Sequence, residues 1–250
     1  MPEGADTIDR VLGELDEIIV WSRERSSRLG YFPALYRKVT AKVKEGIEQH
    51  AFDDGVQMER LDVVFANRYL SAIQAHRQGK PATAAWNETF VVAGRWSPIV
   101  LQHLLLGMNA HINLDLGIAA ARTVAATELP CLRDDFNRIN AILASLVGEV
   151  QAELAQIWPA LRFFNRYLGN TQTAVINFSM EKARDRAWSV AEQLAPLGRS
   201  DQDAAIAQLD REVATFGRVV SNPGIVLGIV TRVVRLGELG SIQKKIDILI

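Results

Sequence analysis

The stretch from Ser97 to Ala126, SPIVLQHLLLGMNAHINLDLGIAAARTVAA, constrains this chain more than any other. It is apolar on nearly every side, yet it carries His103, Asn109, His111, Asn113, Asp115 and Arg122. A helix that is hydrophobic all round is the buried one of its domain. Polar side chains on such a helix must find partners, because each unpaired buried polar group costs about 1–3 kcal/mol. With Ser97 as N-cap and Pro98 at the first helical position, the spacing predicts a central helix over about 97–126. That helix either hosts a site or anchors an internal hydrogen-bond network.

The remaining segments also read with helical spacing, and none shows strand alternation. Thr7 to about Arg25 is amphipathic, Gly30 stops it, and a second helix follows with Pro33 in its first turn. The loop AFDDG leads into MERLDVVFANRYLSAIQAHRQ, which ends at Gly79-Lys80-Pro81, and Ala82 to Val92 forms a short helix. Asp134 or Asp135 opens a long helix that Pro159 ends. A turn at Gly169-Asn170-Thr171 precedes a helix from Thr173 that closes at Pro196 and Gly198. Asp201 to Val220 is helical, Asn222-Pro223-Gly224 breaks the chain, and residues 225–250 are apolar with interspersed basic residues. The expectation is an all-α fold of eight or nine helices in a single domain over residues 1–250. Its last segment, about 225–250, packs on the core or forms a homodimer contact, with Gly237 and Gly240 kinking or interrupting it.

Composition narrows the function. The 28 Lys+Arg against 29 Asp+Glu give a net charge of −1, which supplies no field for nucleic acid. A single cysteine, Cys131, leaves no disulfide framework and no multi-cysteine metal cluster. The polar, acidic start is unlike a signal peptide, and no long uninterrupted apolar run suggests stable membrane insertion. A soluble, cytoplasmic protein is expected.

The words RLGYFPALYRKVT (28–40), MERLDVVFANRYL (58–70), HLLLGMNAHINLDLGIA (103–119), FNRINAIL (136–143) and SMEKARDRAW (179–188) occur in that order. Together they resemble a bacterial family of unknown function, DUF5995, from about Thr7 to near the C-terminus. The resemblance implies an all-helical protein with a polar core and brings no activity with it.

On the central helix, His103, Gly107, His111 and Asp115 fall four apart and form one slowly drifting stripe. Gly107 leaves room between the histidines for a ligand, a water or a neighbouring helix. At this spacing Asp115 can touch His111, orient one nitrogen and leave the other facing a substrate or metal. His103 and His111 lie about 12 Å apart along the axis, too far to share one metal. Gln102, Asn109 and Asn113 form a second stripe on the opposite side, suited to pinning neighbouring helices. For His111 and Asp115 a structural pair and an acid/base or half-metal site both remain open.

Asp62 lies in an apolar run on a face with Tyr69 and calls for a partner such as Arg37, Arg68 or Arg184, in a buried ion pair or a site. Tyr36 either packs in the core or reaches inward as a donor, and Arg37, Lys38, Lys42 and Lys44 read as a solvated basic face. Arg184 has the spacing to stack on Trp188 and, if inward, to hold a ligand's carboxylate or phosphate. Asp134-Asp135 fits helix capping better than the magnesium-binding acids of isoprenoid cyclases. His50 and His76 sit at helix ends, and Cys131 has no evident partner. Asp62, His50 and Asp135 are the further ligands a metal at His111 would draw on. However, HExxH and paired Glu-x-x-His patterns are missing, and no metal residue is assigned. The cofactor is undetermined.

The function expected from these residues is a small-molecule enzyme doing acid/base chemistry on an apolar or lipid-like substrate. His111, Asp115 and His103 would be its catalytic groups, with Asp62, Asn109, Asn113, Tyr69 and Arg184 binding the ligand. The alternatives are a non-catalytic small-molecule-binding protein or a metal-dependent hydrolase or oxygenase.

Overall fold

The computed structural model describes residues 4–160, 180–222 and 224–250. Ten helices and no strand are found among them, so the fold is all-α. They are α1 (Ile8–Glu24), α2 (Tyr31–Glu48), α3 (Gly55–Arg77), α4 (Ala84–Ala93) and α5 (Val100–Thr123), followed by α6 (Arg133–Ile157) and α7 (180–194), then α8 (Arg199–Ser221), α9 (Gly224–Gly237) and α10 (Ile242–Leu249). The expected turn at Gly169–Thr171 and the helix start at Thr173 lie outside the described residues.

Most helix starts follow from local side chains. Thr7 accepts from the Arg10 amide, Asp54 from Gln57 and Thr83 from Trp86, each satisfying one of the free first-turn N–H groups. The interruption expected at Gly237 and Gly240 is present: Gly240, at φ +85°, and Ser241 split the C-terminal segment into α9 and α10, which brings the count among the described residues to ten.

Helix α5 starts at Val100 rather than near Ser97, for a reason far away in sequence. Its N-cap position, Ile99, has no capping side chain of its own. Instead Gln102 Oε1 accepts from the Ile99 amide at 3.1 Å and Glu238 Oε1 from the Val100 amide at 2.7 Å. Glu238 is held in turn by Lys245 Nζ at 2.9 Å and Arg235 at 3.3 Å.

By length and composition alone α5 could cross a bilayer, with 24 residues and a mean hydropathy of 1.3. Here 72% of its most apolar window is buried inside the molecule, enclosed by α2, α3, α4 and α8. Gly117 lets α7 cross closely, since a Cβ there would sit 2.5 Å from the Ala187 carbonyl oxygen.

The C-terminal helix packs on the core. Ile246 and Leu249 are fully buried beside Ile19, Tyr31, Ala34 and Leu35. Each such burial contributes about 1.5–3 kcal/mol. The basic side of α2 is engaged rather than free: Arg37 pairs with Asp16, Lys38 with Glu149 and Glu153, and Lys44 with Asp9.

Candidate functional site

Midway along α5 the helix widens, and Asn109–Leu116 adopts π-helical geometry. Each residue then turns less about the axis than in an α-helix, which shifts the side chains of this stretch from their α-helical positions. Asp115 Oδ2 lies 3.7 Å from His111 Nδ1, beyond hydrogen-bond range. Both oxygens of the fully buried Asp115 are committed elsewhere. Oδ1 accepts from Arg68 Nε at 2.6 Å and Oδ2 from Trp86 Nε1 at 2.7 Å.

His111 is enclosed by rings. It stacks on Phe65, with centroids 3.6 Å apart and planes at 10°, and meets the Tyr36 ring at 4.3 Å, close to perpendicular. Among the described residues neither of its nitrogens has a hydrogen-bond partner. Burial lowers its pKa, while the nearby Asp115 carboxylate works the other way. The imidazole is therefore neutral near pH 7 and carries both an unused donor and an unused acceptor.

His103 does not share this site. The space opened by Gly107 is filled by Phe32 of α2, whose Cδ2 lies 2.3 Å from where a Cβ would stand. His103 instead meets Tyr31 edge-on at 5.6 Å and lines a separate 20 Å³ void. Burial and the cations Arg28, Arg235 and Lys245 bring its pKa down to about 3. Tyr69 lines the same small void, its ring packed on Phe32 and Trp86 and its buried hydroxyl without a partner.

The second stripe of α5 holds helices together. Asn109 Nδ2 donates to the Val213 carbonyl at 3.0 Å and Gln102 Nε2 to the Val220 carbonyl at 2.8 Å, both on α8. The half-buried Asn113 donates to Asn109 Oδ1 at 2.9 Å. Arg122 points outward, 3.9 Å from Asp203.

On the other side of His111 lies a cavity of about 230 Å³ between α2, α3, α5, α6 and α7. Its walls are chiefly Leu, Val, Ile, Met and Phe side chains, among them Val43, Met58, Leu104, Phe136 and Leu146. The polar groups reaching it belong to Tyr36, Asp62, His111, Gln151 and Arg184.

Asp62 lacks the arginine partner its position called for. Arg37 goes to Asp16, Arg68 to Asp115, and Arg184 to the Phe136 carbonyl. Asp62 Oδ2 has no partner among the described residues, and burial, with Glu59 adding to it, raises the Asp62 pKa to about 7. The Tyr36 hydroxyl is likewise buried and unpartnered.

Arg184 stacks on Phe136, its Cζ 4.3 Å from the ring centroid, rather than on Trp188. Arg133 takes the Trp188 face at 5.2 Å, and the indole N–H donates to Glu192. Nε of Arg184 has no partner among the described residues, and burial pulls its pKa down to about 9.

No group of three or more His, Cys, Asp or Glu side chains able to hold a metal occurs among the described residues. Asp135 accepts from the Asp53 and Asp54 amides at 2.8 Å each, so it anchors the α2–α3 loop from the first turn of α6. His50 is exposed at a positive φ, and His76 is half-buried against Phe90. Cys131 is an exposed free thiol. Trp86 escaped the sequence reading, although a Trp on an apolar helix needs a buried acceptor for its N–H, and Asp115 is that acceptor.

Fold and site together define an all-helical protein with a ligand-sized apolar cavity, open at Leu101 and Leu105, that bears a few polar groups unpaired among the described residues. The chain belongs to the family of unknown function DUF5995, whose model matches residues 8–223. No curated protein and no solved structure matches it.

Proposed function

We propose that this chain is a small-molecule enzyme that takes an apolar or lipid-like substrate into the cavity and moves a proton on it. One observation carries the reading. A carboxyl with a pKa of about 7 and a neutral, unpartnered imidazole line the same apolar cavity. A group poised near the working pH is what general acid/base catalysis requires, and a core serving stability alone gains nothing from leaving such groups unpaired. Asp62 and His111 would be the catalytic groups, Tyr36 a hydrogen-bond donor to the substrate, and Asp115 a positioning residue through Arg68 and Trp86. Asn109 holds α8 and Asn113 steadies Asn109, while Tyr69 and His103 line the neighbouring void.

Binding without turnover is the second reading, favoured by walls that offer so few polar groups to polarise a substrate. A screen of small apolar carbonyl compounds in heavy water separates the two. Acid/base catalysis predicts solvent deuterium entering carbon beside the carbonyl, abolished in Asp62→Asn and in His111→Phe while both variants still bind naphthalene. Binding of naphthalene with no exchange across the screen would leave the second reading. Failure to bind any apolar probe would reject both.

A further inference from the structure

We infer that the ligand of this cavity is a monocarboxylate with a short apolar body, its carboxylate held by the Arg184 guanidinium. This rests on the cavity being a ligand site, and it names what that ligand carries.

Arg184 is 5% exposed and faces the cavity, yet among the described residues no carboxylate lies within ion-pair distance. Among the described residues its side chain meets the Phe136 carbonyl and the Phe136 ring, both neutral. The Nε–H, on the edge of the guanidinium that grips carboxylates, is buried and unused. Residues 161–179, which lead into α7, contain no Asp or Glu. The neighbouring acids on α7, Glu181 and Asp185, are exposed, and Asp185 acts on the guanidinium only through space, offsetting part of the effect of burial. A buried cation without an ion-paired partner is among the most costly arrangements a core can hold, so an anion supplied from outside the chain completes it.

The cavity sets the rest of the ligand. A 150 Å³ apolar cavity holds benzene, so about 230 Å³ accommodates roughly nine non-hydrogen atoms. Asp62, with a pKa of about 7, can take up its proton beside an incoming anion, so among the described groups lining the cavity the Arg184 guanidinium balances one negative charge, which favours a carboxylate over a phosphate dianion. Straight-chain acids near octanoate, or aromatic acids of similar bulk, meet these limits.

The test is calorimetric titration of the full chain with octanoate, 1-octanol and octylamine, repeated on Arg184→Met, which keeps an apolar side chain against Phe136. The inference expects octanoate to bind at least about tenfold tighter than the alcohol, the amine to bind weakest, and the acid–alcohol difference to vanish in Arg184→Met. Equal binding of acid and alcohol to the unaltered protein, or an acid preference that survives Arg184→Met, overturns the carboxylate while the cavity remains a ligand site. Should none of the three bind, the ligand site itself is refuted. If Arg184→Met does not fold, the ranking of the three ligands on the unaltered protein decides alone.

Discussion

The imidazole of His111 lies flat on the ring of Phe65, with centroids 3.6 Å apart and planes at 10°. This stack gives His111 a fixed face and leaves its two nitrogens without partners. His111→Phe should preserve the stack and remove two buried unpaired atoms, holding stability within about 1 kcal/mol of the parent or raising it. His111→Ala should lose about 2–4 kcal/mol by opening a hole beside Phe65. Urea unfolding at pH 7 measures both, and a Phe variant as damaged as Ala would show that the nitrogens are needed by the fold.

The same histidine leaves a signature at acid pH. Its folded pKa lies below the unfolded value of about 6.5, so its contribution is complete above that pH. Stability should fall as pH drops below about 6.5 towards the lowered folded pKa, because the unfolded chain binds the proton first. His111→Phe should lack that part of the loss in unfolding curves taken from pH 7 down to pH 4.

Asp62 acts in the opposite sense. Its folded pKa of about 7 stands above the unfolded value of about 3.9, so the folded chain holds a proton that the unfolded chain has released. Stability from this group is complete below pH 4, declines as pH rises towards 7 and stays low beyond it. Asp62→Asn should flatten that slope and be the more stable protein at pH 8, by up to a few kcal/mol. A variant less stable than the parent at pH 8 would mean that Asp62 is paired in solution.

Asp115→Asn separates the positioning of His111 from direct contact with it. The amide can keep one bond to Trp86 but leaves the partly buried Arg68 without its counter-charge, at a cost of about 1–4 kcal/mol. Since the Asp115 charge favours the imidazolium, its removal should depress the His111 pKa further. An unchanged His111 titration by nitrogen-15 NMR would show that the 3.7 Å separation carries no coupling.

Gly107→Ala and Gly117→Ala test two close crossings. An added methyl at residue 107 meets the Phe32 ring at 2.3 Å, and at residue 117 it meets the Ala187 carbonyl oxygen at 2.5 Å. Both should destabilise by about 1–3 kcal/mol despite the better helix propensity of alanine. Only Gly107→Ala should regain part of its stability when Phe32 is trimmed to Ala, which removes the ring atoms at 2.3 and 2.4 Å, because a backbone carbonyl cannot be trimmed.

The helices were legible in the sequence wherever their punctuation was local: Thr7, Asp54 and Thr83 each cap the helix that follows them. The start of α5 was not, because the group that caps Val100 stands on Glu238. Within the site, residue identity was legible and grouping was not. Periodicity put His103 and His111 on one stripe, but it cannot show that Phe32 would be seated between them at Gly107. Nor does it report the π-helical widening at Asn109–Leu116, which no residue type announces. The isolation of Asp62 is a matter of competition, since Arg68, one of its candidate partners, is claimed by Asp115.

The Glu238 contact also bears on where this chain can be shortened. The family match ends at residue 223, whereas the carboxylate that closes the first turn of α5, and the Lys245 ammonium that steadies it, come later. A chain cut at residue 223 would keep every matched residue and lose the clasp on its most buried helix, together with the Ile246 and Leu249 packing. Trimming to the family boundary should therefore yield a protein that expresses with its helices frayed at Val100, detectable as fast amide exchange at the head of α5.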